Sequence, residues 1–170
     1  MLNSNITFKN LPITLIGTEA KIGAEAPDFV AIKQDLTQVN LHSFDNKIKI
    51  ITVFPSIDTP VCATQVRTFN KELGNIAPNV VVIAISNDLP FALGRFCAAE
   101  GLNHVVALSD HRHTEFGLKY GFLIKELRLL SRGVVIVDEN NIIRYVEYVK
   151  EVTNEPNYSE VIKEVKKLIK

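Results

Sequence analysis

The sequence predicts an α/β fold, a mixed sheet with helices on its faces. Three observations predict it. Two apolar, β-branched runs, Ile48 to Phe54 and Val80 to Ile85, are each followed by a helical pattern, as strand–helix units of a buried parallel sheet require. A third run, Val134 to Val137, is followed by turn formers and then by Ile142 to Tyr148, which reads as an antiparallel strand. The chain closes on Tyr158, Val161, Ile162, Val165, Leu168 and Ile169, the apolar stripe of an amphipathic helix.

Composition fits this class. The 170 residues suffice for one domain with a full core, expected to span 1–170. Apolar residues make up 46% and charged residues 22%, as in ordinary globular proteins. Lys+Arg and Asp+Glu are both 19, a balance that argues against a nucleic acid or an acidic membrane as partner. No apolar run reaches the roughly 18 residues that a membrane helix needs. Met1 to Gly17 has no positive region ahead of an apolar core, so no signal peptide is expected, and the expected location is cytoplasmic.

The elements follow in order. Ile6-Thr7-Phe8 and Ile13-Thr14-Leu15 flank Asn10-Leu11-Pro12, which predicts an N-terminal β-hairpin. Gly17 to Pro27 reads as a surface loop. Phe29 to Ile32 and Val39 to Leu41 read as strands joined by a turn at Asp35-Leu36-Thr37. Pro55 stops the Ile48 strand, and Thr59-Pro60 starts a helix with Thr59 at the N-cap and Pro60 at the first helical position. Cys62, Val66, Phe69 and Leu73 then share one helical face. Pro90 opens the next helix, with Cys97 in its last part, and Val105 to Leu108 is a further strand. Thr114 to Tyr120 is a short helix ended by Gly121. Phe122 to Arg132 carries no clear pattern and reads as a loop with a turn. The whole is compatible with a thioredoxin-like fold.

Cys62 has a special place in this plan. It sits in the first turn of a helix, just past the carboxyl end of a core strand. Free amides and the helix dipole favour an anion there, which should raise the thiolate fraction. Thr59 adds a hydroxyl three residues earlier. The plainer reading is a small buried Cys on an apolar face. The second cysteine, Cys97, lies 35 positions on, and there is no C-x-x-C for a zinc knuckle or a vicinal dithiol. A transient catalytic disulfide suits a reducing cytosol, while a structural one stays open at this point.

These residues resemble a family. Phe54-Pro55-Ser56-Ile57-Asp58-Thr59-Pro60-Val61-Cys62 is similar to the P-x-x-x-T-x-x-C active-site motif of the peroxiredoxins. More narrowly, the chain resembles their thiol peroxidase subfamily, of the atypical 2-Cys type. Gly23 to Phe29 is similar to a family G-x-x-A-P-D-F stretch, and Ser86 to Ala92 with Arg95-Phe96-Cys97 is similar to the helix of a resolving cysteine. Leu108-Ser109-Asp110 and Val137 to Asn140 also match. Pro60 departs from the Gly frequent in that subfamily, a change that suits the first helical position.

The resemblance implies roles. Cys62 matches the peroxidatic cysteine, which attacks the peroxide and becomes a sulfenic acid. Cys97 matches the resolving cysteine of the same chain, closing a Cys62–Cys97 disulfide. Pro55 matches the residue shielding the sulfur, Thr59 the hydroxyl that holds the substrate oxygen, and Arg132 the active-site arginine. Hydrogen peroxide and organic hydroperoxides are the implied substrates, thioredoxin the reductant, and a homodimer the assembly. No metal, haem or flavin is implied.

Other residues have plainer readings. Arg112 suggests a structural ion pair with Asp110 or Glu115. His111 and His113 form an H-x-H without a third ligand. His42 and His104 read as surface or strand-end residues, and Arg67 as solvated. Phe91 and Phe96 read as core or dimer-contact residues. Lys163, Lys166, Lys167 and Lys170 read as the solvated face of the last helix. The function classes that compete with a thiol peroxidase are a disulfide oxidoreductase or redox sensor, and a non-catalytic module with a structural disulfide.

Overall fold

The computed structural model describes residues 5–169, so Lys170 on the basic helical face lies outside them. The N-terminal hairpin pairs β1, Thr7–Phe8, with β2, Leu11–Pro12, across Lys9 and Asn10. Both turn residues have positive φ, 52° and 64°, as a tight two-residue hairpin turn requires. The second hairpin strand is therefore not Ile13 to Leu15. Instead β3, Leu15–Ile16, pairs with a distant segment described below.

Next come β4, Val30–Ile32, and β5, Gln38–Asn40, an antiparallel pair. Leu41–Phe44 is a short 3-10 turn rather than strand, capped by Asn40. The core units are β6, Ile48–Val53, with α1, Pro60–Leu73, then β7, Val80–Ser86, with α2, Pro90–Glu100. β8, Val105–Ser109, and α3, Glu115–Tyr120, follow. Phe122 to Arg132 holds β9, Leu123–Ile124, the partner of β3. Strands of two residues show no periodicity, so this pairing carried no sequence signal. β10, Gly133–Val137, and β11, Ile143–Tyr148, form a hairpin, and α4, Tyr158–Leu168, ends the fold.

Seven strands make the central sheet, in the order β11-β10-β6-β7-β8-β4-β5. The β6–β7 and β7–β8 pairs are parallel, and the other pairs are antiparallel. The sheet is mixed and flanked by helices, as the sequence predicts. Alternate residues of the central strands feed two cores. Ile48, Ile50, Val82, Val134 and Ile136 pack against Phe69 and Leu73 of α1 and Val161 and Val165 of α4. Ile51, Val53, Ile83, Ile85, Val135 and Val137 face Phe116, Tyr120 and Phe122 on the other side. β6 and β10 are buried along their whole length, so the residues that follow β6 and precede β10 are held on a rigid frame.

Candidate active site

The carboxyl end of β6 leads through Phe54 and Pro55, both buried, into the loop before α1. Thr59 is extended, with φ −107° and ψ 146°, and Pro60 opens the helix. Thr59 occupies the N-cap position, yet its side chain does not cap. Its hydroxyl donates to the Ser56 carbonyl at 2.9 Å instead. With no side-chain cap, the first-turn amides of Val61 and Cys62 stay open to an anion.

Cys62 is fully buried and points inward with Val66, Phe69 and Leu73, as the helical spacing predicts. Arg132, at the residue before β10, reaches it from the far side of the site. Its Nη2 donates to Cys62 Sγ at 3.2 Å. Its Nε donates to the Val152 carbonyl at 2.6 Å, and its Nη1 to Gln65 Oε1 at 2.7 Å. Arg132 is only 3% exposed and has no carboxylate partner among the described residues. A buried guanidinium with neutral acceptors alone is costly. Cys62 Sγ completes the three acceptors that surround the guanidinium.

Gln65 is in turn fixed. Its Nε2 donates to Thr52 Oγ1 at 2.6 Å and to the Val53 carbonyl at 3.1 Å. Sequence reasoning missed this residue. It lies three positions after Cys62 and is buried beside the apolar stripe, and a polar side chain there was the available signal. The Val152 carbonyl was not visible in the sequence at all, since any residue type could supply it.

A cleft of about 260 Å³ opens beside Arg132. Pro55, Thr59, Pro60, Val61, Arg132 and Val152 line it, together with Phe8 of the hairpin. Pro55, Thr59 and Arg132 therefore come together on one cleft, from which Arg132 reaches Cys62, and the lining is mostly apolar.

Cys97 is also a buried free thiol, packed in one cluster with Cys62, Val66, Ala84, Leu93 and Ala107. Burial pushes its thiol up from the ordinary value, which keeps it protonated while the helix is folded. It is the last turn of α2 that holds it, ended by Gly101 in the left-handed region with φ 62°.

Several plainer expectations change. Arg67 is not simply solvated. It pairs in bidentate fashion with Glu100 at 2.8 and 2.9 Å and lies over the Phe96 ring, tying α1 to α2. Arg112 is exposed and makes no ion pair with Asp110 or Glu115. Asp110 instead accepts from the Phe116 and Gly117 amides, and Glu115 pairs with Lys119. Phe91 is 68% exposed and so is not core, whereas Phe96 is half-buried against the cysteine cluster. His42 is a surface partner of Asp45. Among the described residues no three His, Cys, Asp or Glu side chains are grouped to hold a metal.

The chain has close relatives. The Redoxin family model matches residues 21–162. A thiol peroxidase from Oceanobacillus iheyensis is 53% identical over 164 residues, covering 96% of this chain and 99% of that protein. A thiol peroxidase from Bacillus subtilis is 48% identical over 167 residues, 98% of this chain and 99% of that one. Among solved structures, a peroxiredoxin-like protein from Aquifex aeolicus is similar with a TM-score of 0.91 and 38% identity over 98% of both chains. A thiol peroxidase from Chromobacterium violaceum shares the fold, with a TM-score of 0.83 at 22% identity over 95% of both chains.

Proposed function

We propose a two-cysteine catalytic cycle for this chain, which belongs to the Redoxin family and is a peroxiredoxin-type thiol peroxidase. The observation that carries the cycle is the buried Arg132 guanidinium donating to Cys62 Sγ at 3.2 Å.

In the first step the Cys62 thiolate attacks one oxygen of the hydroperoxide. The S–O bond forms as the O–O bond breaks. The electron pair leaves on the other oxygen, which takes a proton and departs as water or an alcohol. Arg132 and the first-turn amides face the negative charge that grows along this path, and the Thr59 hydroxyl is placed to hold the peroxide. Thiolate formation alone gives too little, because nucleophilicity falls as a thiol becomes more acidic. Polarising and orienting the peroxide supplies the rest.

In the second step the Cys97 thiol attacks the Cys62 sulfenic acid. The disulfide forms and water leaves. Both cysteines start as buried thiols on different helices, so the first turn of α1 and the end of α2 unwind locally to bring them together. Leaving the apolar cluster also frees Cys97 from the burial that keeps it protonated. Thioredoxin reduces the disulfide and restores both thiols.

The apolar cleft walls at Phe8, Pro55, Val61 and Val152 support organic hydroperoxides as substrates beside hydrogen peroxide. The cycle needs a compartment that keeps thiols reduced, so we place the chain in the cytoplasm. We also propose a homodimer, with exposed Leu89 and Phe91 as its available apolar surface. Sedimentation of the reduced protein as a monomer would exclude it.

Thiol counting during peroxide titration tests the cycle. Two thiols should disappear per peroxide, with turnover on adding thioredoxin and its reductase. C62S should abolish both. C97S should leave one fast oxidation, to a sulfenic acid that a dimedone-type reagent traps. A reduced chain no faster toward hydroperoxide than free cysteine would overturn the reading.

A further inference from the structure

The carboxylate of Asp88 gathers the loop that precedes the Cys62 helix. Its Oδ1 accepts from the Ser56 hydroxyl at 2.8 Å. Its Oδ2 accepts from the Ile57 amide at 2.8 Å and from the Ser86 hydroxyl at 2.6 Å. The Ser109 hydroxyl donates to the Asp88 main-chain carbonyl. The ends of β7 and β8 and the loop from β6 thus meet on one residue. Hydrogen bonds to a carboxylate are among the stronger ones, so the loop is firmly held.

That hold passes on to the cleft. The Ser56 carbonyl accepts from the Thr59 hydroxyl at 2.9 Å and from the Thr59 amide at 3.2 Å. Thr59 lines the cleft and opens α1. The main chain of Asp88, meanwhile, runs directly into α2, whose first turn closes on the Leu89 carbonyl. One residue therefore binds the loop of the first cysteine with its side chain and leads into the helix of the second with its backbone.

We propose that Asp88 is a positioning residue that couples the two half-reactions. While α2 is folded, its carboxylate holds Ser56 to Thr59 in the form that accepts a peroxide. The unwinding of the first turn of α1 that brings the sulfenic acid to Cys97 pulls Ser56 to Thr59 away from Asp88 and releases that loop. The inference rests on the two-cysteine cycle proposed above, and it adds no covalent step to it.

The two steps should respond differently to loss of Asp88. Without the carboxylate the Thr59 hydroxyl loses its fixed place, so peroxide attack slows. The loop is already free, so disulfide closure does not slow. A residue that only stabilised the fold would slow both steps or neither.

Stopped-flow measurements on the reduced full chain with hydrogen peroxide separate the steps. D88A is expected to oxidise Cys62 about ten- to a hundredfold more slowly, the cost of a misplaced catalytic group. Closure of the disulfide in the same variant should be equal or faster. S56A removes one of the three donors and should give the same pair of effects at smaller size, which keeps the test alive should D88A fail to fold. Slowing of both steps in parallel, or oxidation at the parental rate in both variants, would overturn the inference. A fast parent with unchanged variants removes this inference alone, whereas a parent no faster than free cysteine removes the cycle and the inference together.

Discussion

In the proposed cycle Arg132 acts as a buried cation with no carboxylate partner among the described residues. Three contacts aim its plane, from Val152, Gln65 and Cys62. A lysine is a point charge and cannot reproduce that fork. R132K is expected to lower kcat/KM for hydrogen peroxide by about a hundred- to a thousandfold, the usual loss for a missing donor at a developing charge, measured by steady-state turnover. Q65L removes one acceptor from the guanidinium and leaves Thr52 without its donor. It is expected to reduce the rate of sulfenic acid formation while the helix stays folded, checked by dimedone trapping beside circular dichroism. At this scale local spacing singled out Cys62 and Thr59, while Pro55 and Arg132 were expected through the family resemblance. Neither named Gln65 or Asp88, whose partners come from other elements.

Single elements are tied to the site through their ends. Glu151 follows β11 and accepts from the Thr7 hydroxyl, the Asn10 amide, and both the amide and hydroxyl of Thr153. It thereby pins the N-terminal hairpin to the segment that supplies the Val152 carbonyl. Burial alone would raise its pKa, but these hydrogen bonds outweigh it and bring the carboxyl down to about 2 from the ordinary 4.5. A depressed folded pKa contributes stability above the unfolded value and loses it as pH falls. The hairpin should therefore hold above pH 4.5 and loosen as pH drops toward about 2, read as faster amide exchange at Thr7 and Val152. The α1–α2 link behaves differently. Arg67 and Glu100 are largely exposed, so their pair adds little to stability in salt. E100Q should barely change the melting temperature, yet speed disulfide closure, because the pair and the Phe96 stack resist separation of the two helices.

Across the whole molecule the sheet sets the distance between the groups that react. β6 and β10 are antiparallel neighbours, with Val53 opposite Gly133. This register brings the loop after Val53 and the Arg132 before Gly133 to the same end of the sheet. Gly133 has a further constraint, since a Cβ there would run into the Glu147 carbonyl on β11 and the Phe122 ring. Backbone cannot yield as a flexible side chain can, so G133A should push β11 away and misplace Arg132. A loss on the order of 2–3 kcal/mol in urea unfolding is expected, with activity falling further than stability.

What the sequence determined by itself was local. Strand followed by helix, Pro60 at a helix start, Cys62 on the inward stripe and Cys97 late in the next helix all follow from spacings of two to four residues. Only the tertiary structure decided the rest: the β3–β9 pair, the exposure of Phe91, the Arg67–Glu100 tie, and the convergence of Gln65, Val152 and Cys62 on one guanidinium. Such contacts join residues far apart in the chain, and what brings them together is the order and register of the strands rather than any repeating pattern in the residues themselves.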